Sequence, residues 1–186
     1  QLEDTLIIFT SDNGGERFSD NWPCVGGKMD LTEGGIRVPY IVHWPKGITQ
    51  TGVTSEQHSM TMDWTATILD IADATLPEDH KLDGVSMKPT FTDSLTTFER
   101  PMYWRMKHRD QRAFRLGDWK YLKVDENEYL FNVKNDARER ANQAKLEPER
   151  LIVMRDLYIE WSNQVPAVPE DALVSLVYTL EDMPQR

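Results

Sequence analysis

Cysteine, positive charge and long apolar runs are all scarce in this 186-residue sequence. Cys24 is the only cysteine, so neither an internal disulfide nor a cysteine-built zinc site can form. No stretch approaches the roughly 20 consecutive apolar residues that cross a bilayer, and no membrane partner is expected. Lys and Arg number 21 against 31 Asp and Glu, a formal net charge of −10. That balance supplies no basic face for nucleic acid, so nucleic acid is excluded as a partner class. The four histidines, His43, His58, His80 and His108, show no metal-ligand spacing. Gln1-Leu2-Glu3-Asp4 offers neither a basic n-region nor an apolar h-region, so this chain shows no signal peptide.

The most informative stretch is Thr5 to Pro39. It opens on Leu6-Ile7-Ile8-Phe9, an unbroken apolar run that suits a strand covered on both faces, as in a parallel sheet flanked by helices. A parallel strand needs parallel neighbours joined by crossovers, so the chain is expected to be the C-terminal part of something longer. The run stops at Ser11-Asp12-Asn13-Gly14-Gly15, which places a carboxylate and an amide at the carboxyl end of a strand, where open α/β sheets bind ligands. A long glycine-rich loop follows, with Lys28 in Gly26-Gly27-Lys28-Met29 and a second block, Glu33-Gly34-Gly35-Ile36-Arg37. Loops of that length inside a compact domain are usually functional.

Further along, a strand is expected over Val38 to Trp44, and a helix over Trp64 to Ala74 with Asp63 as N-cap and Trp64, Ile68 and Ile71 on its buried face. A short helix is expected within Ser86 to Phe91. A boundary near Glu99-Arg100-Pro101 divides residues 1–98, a portion of an α/β domain, from 99–186, an α+β subdomain. Beyond it, Met102 to Met106, Arg112 to Leu116, Trp119 to Val124 and Glu128 to Val133 are short strands punctuated by Gly117-Asp118 and Asp125-Glu126-Asn127, the pattern of an antiparallel meander. A helix from Pro148 to Val165 carries Leu151, Met154, Tyr158 and Trp161 at helical spacing, a stripe to lie on that meander. An apolar run, Ala172 to Leu180, closes the chain.

On local sequence, Asp12 and Asn13 offer oxygen to a hard cation, but two ligands are too few, and the local pattern favours the Asx turn that Asp-Asn-Gly-Gly readily forms. Lys28 suits an anion or a solvated loop. It is not in a Walker A motif, because Trp22 stands at the first glycine position and Met29 replaces Ser or Thr.

Seven segments in order turn these local ambiguities into a family resemblance. They are T-L-I-I-F-T-S-D-N-G-G, G-G-K-M-D-L-T-E-G-G-I-R-V-P, I-V-H-W-P-K-G-I, D-W-T-A-T-I-L-D-I-A, L-D-G-V-S, A-F-R-L-G-D-W-K-Y-L and E-Y-L-F-N-V-K-N-D-A-R-E-R-A-N. Over nearly its whole length the chain resembles the C-terminal half of a formylglycine-dependent sulfatase, of the alkaline-phosphatase-like superfamily. The resemblance implies the C-terminal part of an α/β sandwich, followed by a small antiparallel four-stranded sheet packed on a long helix. It also implies hydrolysis of sulfate esters, with Asp12 and Asn13 as two ligands of a divalent cation, usually calcium, and Asp12 assisting the nucleophile. Lys28 would contact the sulfate. Glu33, Gly34, Gly35 and Arg37 would shape the loop. Apart from the resemblance, His43 at a strand end is a candidate for the site or a structural histidine. Trp104, His108 and Arg109 are candidates for the substrate rim, the His108 cluster otherwise reading as a solvated turn.

The implied partners are a sulfated small molecule or carbohydrate and the N-terminal half of the same enzyme, with a homo-oligomer left open. The implied compartment is periplasmic, extracellular or lysosome-like. The family nucleophile, a formylglycine made in a C/S-x-P-x-R motif, is expected upstream: Cys24 is followed by Val25-Gly26-Gly27 and cannot supply it. These residues alone are therefore expected to be inactive. The alternatives are a phosphonate or phosphate ester hydrolase of the same superfamily, and a non-catalytic binding module.

Overall fold

The computed structural model describes residues 1–16, 18–92 and 96–172. In chain order its elements are β1 (Ile7–Thr10), α1 (Glu33–Ile36), β2 (Tyr40–His43), α2 (Asp63–Ile71), α3 (Pro89–Thr92), β3 (Met102–Met106), β4 (Gln111–Leu116), β5 (Trp119–Val124), β6 (Asn127–Asn132) and α4 (Pro148–Ser162). This is a mixed α/β chain with an antiparallel four-stranded sheet and a long helix after it. The residues gather into two compact units, neither continuous in sequence. One comprises Gln1–Gly14 and Arg37–Met102; the other comprises Gly15–Ile36 and the chain from Tyr103 onward.

In the first unit β1 pairs antiparallel with β2, Ile8 opposite Val42 and Phe9 opposite Ile41. The parallel, doubly covered strand expected from Leu6 to Phe9 is therefore corrected. Ile8, Tyr40 and Val42 turn towards a core of Trp64, Met87 and Phe91. On the opposite face Ile7, Phe9 and Ile41 remain 43%, 61% and 60% exposed. An unbroken apolar run records that both faces are apolar; it carries no information on strand direction. β2 is also shorter than expected, starting after Pro39, which has no N–H to contribute to a ladder.

Helix α2 begins at Asp63 itself, and Met62 occupies the N-cap. Fully buried, the Asp63 carboxylate accepts the backbone N–H of Met60 (2.6 Å) and of Val85 (3.0 Å) and pairs with the Arg100 guanidinium. A carboxylate so engaged ties three segments of this unit together instead of capping its own helix. Thr67, one turn on, is also fully buried and accepts the Met87 N–H at 2.9 Å. Trp64 and Ile71 face the core, but Ile68 is 48% exposed, so Thr67 takes the place that periodicity assigns to Ile68.

In the second unit the strands run in the order β3-β4-β5-β6. The β4–β5 and β5–β6 pairings are antiparallel, with Phe114 opposite Tyr121 and Tyr121 opposite Leu130. The four observed strands lie within a residue of the expected ones. One face carries Phe114, Tyr121 and Leu130 against Met154 and Tyr158 of α4, with Leu151 and Trp161 at the margin. Tyr103 stacks between Phe114 and Trp161, with ring centroids 4.8 and 4.7 Å away. Helix α4 ends at Ser162, short of Val165. The other face carries Ala113, Leu122, Phe131 and Val133, and Leu31 from the glycine-rich loop is buried among them. The apolar run expected over 172–180 lies, after Ala172, outside the described residues.

Candidate functional site

The first unit delivers Asp12 and Asn13 where β1 ends at Thr10. Ser11 Oγ donates to the Asn13 carbonyl at 2.9 Å, and Asn13 Nδ2 donates to the Gly14 carbonyl at 2.8 Å. These bonds spend the amide nitrogen of Asn13 on the turn and leave its Oδ1, with the exposed Asp12 carboxylate, as oxygen donors. An all-oxygen pair suits calcium or magnesium and supplies part of a shell of about six to eight ligands. Among the described residues no group of three or more His, Cys, Asp or Glu gathers as a metal site.

Lys28 belongs to the second unit. Its loop is held by a knot at Asn21, whose Oδ1 accepts the Gly15 N–H at 3.0 Å while Nδ2 donates to the Gly15 and Gly26 carbonyls at 3.1 and 3.0 Å. The Lys28 N–H donates to the Gly15 carbonyl at 3.1 Å, and the Gly27 N–H to Asp30 Oδ2 at 3.0 Å. A Cβ on Gly34 would stand 2.3 Å from the Val25 carbonyl oxygen, and one on Gly35 only 2.0 Å from that of Asp30. The glycine pair is thus required by close backbone approach. What projects from this fixed backbone is the Lys28 ammonium, 43% exposed, whose one described ion pair is a loose 3.4 Å contact with Glu16. An ammonium so lightly held is available to an anion.

Beneath the loop lies a group of residues whose association the sequence did not disclose. Lys120 of β5 is completely buried, with Nζ 3.0 Å from Glu33 Oε1 and 2.8 Å from Glu139 Oε1. Glu139 Oε2 accepts the Glu33 backbone N–H at 2.7 Å, and the Arg115 guanidinium stands 3.5 Å from Glu33 Oε2. Two carboxylates facing two cations leave the cluster neutral. Burial pushes the Glu139 carboxyl above its ordinary value, against the opposing pull of Lys120. Gln111 adds a second attachment, accepting the Leu31 N–H at 2.9 Å and donating to the Met29 carbonyl at 2.9 Å. The loop that presents Lys28 is therefore clamped to the four-stranded sheet on both sides of Leu31.

Residues 1–74 match the family model described as Sulfatase. A sulfatase of Formosa agariphila is 28% identical over 186 residues, covering 89% of this chain and 33% of its own. Human N-acetylgalactosamine-6-sulfatase is 34% identical over 108 residues, 55% of this chain and 20% of that protein. The solved structure of Ps i-CgsB in complex with k-i-k-neocarrahexaose superposes with a TM-score of 0.76 at 33% identity, over 87% of this chain and 37% of that one. Residues 1–74 thus carry the sulfatase pattern, and the matches to sulfatases extend over most of the chain. The chain spans about a third or less of the length of the Formosa and human relatives.

The remaining rim candidates have the following places. His43 ends β2 opposite Ile7 and lines a cavity of about 430 Å³ in the first unit, whose apolar wall includes Trp44, Trp64 and Phe91. Trp104 is half-buried and packs on the Leu31–Leu122 core of the second unit. His108 and Arg109 form a 3-10 turn with Asp110; the His108 carbonyl accepts from Gln111 Nε2 at 3.1 Å, and Arg109 pairs with Asp125 at 3.1 Å. Neighbouring Lys107 donates to the carbonyls of Pro169, Glu170 and Ala172. Among the described residues no helix is long and apolar enough to cross a membrane.

Proposed function

We propose that the protein to which these residues belong hydrolyses sulfate esters of carbohydrates. The observation that carries this is Lys28: a lightly paired ammonium held on a glycine-built loop, in a chain whose relatives are sulfatases. Lys28 would bind the sulfate oxygens, where negative charge grows as the ester bond breaks. Asp12 and Asn13 would hold a divalent cation, with calcium preferred for their oxygen donors; such a cation would supply Lewis-acid charge for a developing anion. Asp12 would further assist the nucleophile by accepting its proton. That nucleophile, a formylglycine in this reading, is not among these 186 residues, and the chain alone would be inactive. The carbohydrate is inferred from the neocarrahexaose bound by the 33% identical Ps i-CgsB.

The test is sulfate release from 4-nitrophenyl sulfate and from sulfated oligosaccharides by the full-length protein, with Lys28→Ala, Asp12→Asn and chelator-treated samples alongside. Activity lost by roughly 100-fold or more in Lys28→Ala supports the assignment, by analogy with removing one stabilising donor of a developing anion. Activity unaffected by either substitution or by chelation would sink it. A second reading is favoured by one observation: phosphonate monoester hydrolase of Silicibacter pomeroyi shares the fold, with a TM-score of 0.60 at 20% identity. Faster turnover of a phenyl phosphonate ester than of the aryl sulfate would select that reading.

A further inference from the structure

The Asn21 knot that fixes Lys28 also fixes an aromatic residue. Trp22 is next in sequence to Asn21, and Lys28 is next to Gly27, whose backbone closes on the same knot: a Cβ on Gly27 would stand 2.5 Å from the Gly15 carbonyl oxygen and 3.1 Å from Asn21 Nδ2. The indole and the ammonium therefore leave opposite ends of one hydrogen-bonded loop. Trp22 is 69% exposed and contributes to no core cluster among the described residues. It is nevertheless held in place. The Trp22 N–H donates to Asp20 Oδ1 at 2.9 Å, and the Arg138 guanidinium lies over the ring with its carbon 4.2 Å from the centroid. Arg138 Nε is buried with no hydrogen-bond partner among the described residues, so this cation leans on the indole. One face of a large apolar ring is thus backed by a cation and the ring as a whole stays open to water, a costly arrangement for a residue with only a packing role.

We propose that Trp22 is a sugar-stacking platform of the Lys28 site, taking the apolar C–H face of a pyranose that neighbours the sulfated unit. An indole presents a flat, rigid apolar surface at little conformational cost, and the face of a pyranose ring that carries axial hydrogens is its complement. Arg138 behind the ring and Lys28 along the loop offer two cations to a sulfated oligosaccharide, beside the carboxylates of Asp20 and Glu16. This inference rests on the assignment of Lys28 to the sulfate, and it adds the residue that distinguishes an oligosaccharide from a small sulfate ester.

The experiment uses the full-length protein, 4-nitrophenyl sulfate, and a panel of sulfated galactan and glycosaminoglycan hexasaccharides. Trp22→Ala is expected to raise KM for the preferred hexasaccharide roughly 10-fold, the equivalent of one aromatic stacking contact. Its kcat, its kinetics on the aryl sulfate and its melting temperature should stay at wild-type values. Trp22→Phe should recover most of the lost affinity. Equal kinetics of Trp22→Ala and wild type on every hexasaccharide would overturn the proposal, as would a parallel loss on the aryl sulfate, which signals loop damage. It is also overturned if wild type shows no preference for any hexasaccharide over the aryl sulfate. Failure of the underlying assignment looks different: Lys28→Ala would then retain activity on both substrate types.

Discussion

The two units solve the same problem, holding a polar loop still, with different completeness. In the second, a four-stranded sheet has α4 on one face and the Leu31 segment on the other, and the loop is bolted down by Glu33, Lys120 and Glu139. In the first, a two-stranded sheet has one covered face and one lined by the exposed Ile7, Phe9 and Ile41. Among the described residues its interior is secured by one buried ion pair, Asp63 with Arg100. Both units bury a carboxylate that accepts backbone N–H groups and a cation together. The difference shows that Lys28 owes its placement to the complete unit, whereas Asp12 and Asn13 hang from the strand of the incomplete one.

The strongest way to break the contrast is Lys120→Met, which takes from Glu139 its buried cation in the second unit's interior and leaves Glu33 facing Arg115. It should cost about 3–5 kcal/mol, read from the urea unfolding curve; a cost under about 1 kcal/mol would mean that the cluster opens to water. Next comes a matched pair of truncations. Leu122→Ala, in a closed core, should cost about 2–5 kcal/mol, and Phe9→Ser, on the bare face, should stay within about 0.5 kcal/mol. Comparable losses would refute the claim that β1 has an uncovered side.

Titration sharpens the comparison further. The Glu139 carboxyl is raised by burial, so the folded state holds a proton more tightly than the unfolded chain in the range above the ordinary value of 4.5. Its contribution to stability is greatest at low pH and declines as pH rises from that ordinary value through the raised one. Glu139→Gln should flatten this slope relative to wild type in unfolding measurements at stepped pH; parallel slopes would dismiss the group as the source. The smallest expected effect is that of Lys28→Ala on stability, about 0–1 kcal/mol for an exposed pair, by thermal unfolding. A large loss there would make Lys28 a structural residue.

Local signals carried much of this. Strands β3 to β6 were legible because Gly117-Asp118 and Asp125-Glu126-Asn127 interrupt short alternating segments, and α4 because its Leu151–Trp161 stripe keeps helical spacing. Asp12, Asn13 and Lys28 were legible as a candidate set through the family pattern around them. The antiparallel pairing of β1 was hidden because apolar runs look alike in either direction. The clamp was hidden for a different reason. Lys120 in Trp119-Lys120-Tyr121 resembles any strand lysine, its partner Glu33 is 87 positions away, and Glu139 lies in a charged run that resembles a solvated turn. Long-range ion pairs leave no local trace. Trp22 stood out in the sequence merely as a residue that spoils a phosphate-loop motif.

The clamp has a practical corollary for anyone who would recombine this chain with its relatives. Glu33 is separated from Lys120 and Glu139 by a large part of the chain, yet the three share one buried charge balance. A loop transplanted from a relative without its matching strand β5 and the Glu139 turn would bring an acid with no base, or leave a base with no acid. Crossover points that keep residues 15–36 together with 111–140 should give folded chimaeras. Those that part them at the obvious linear junction should not.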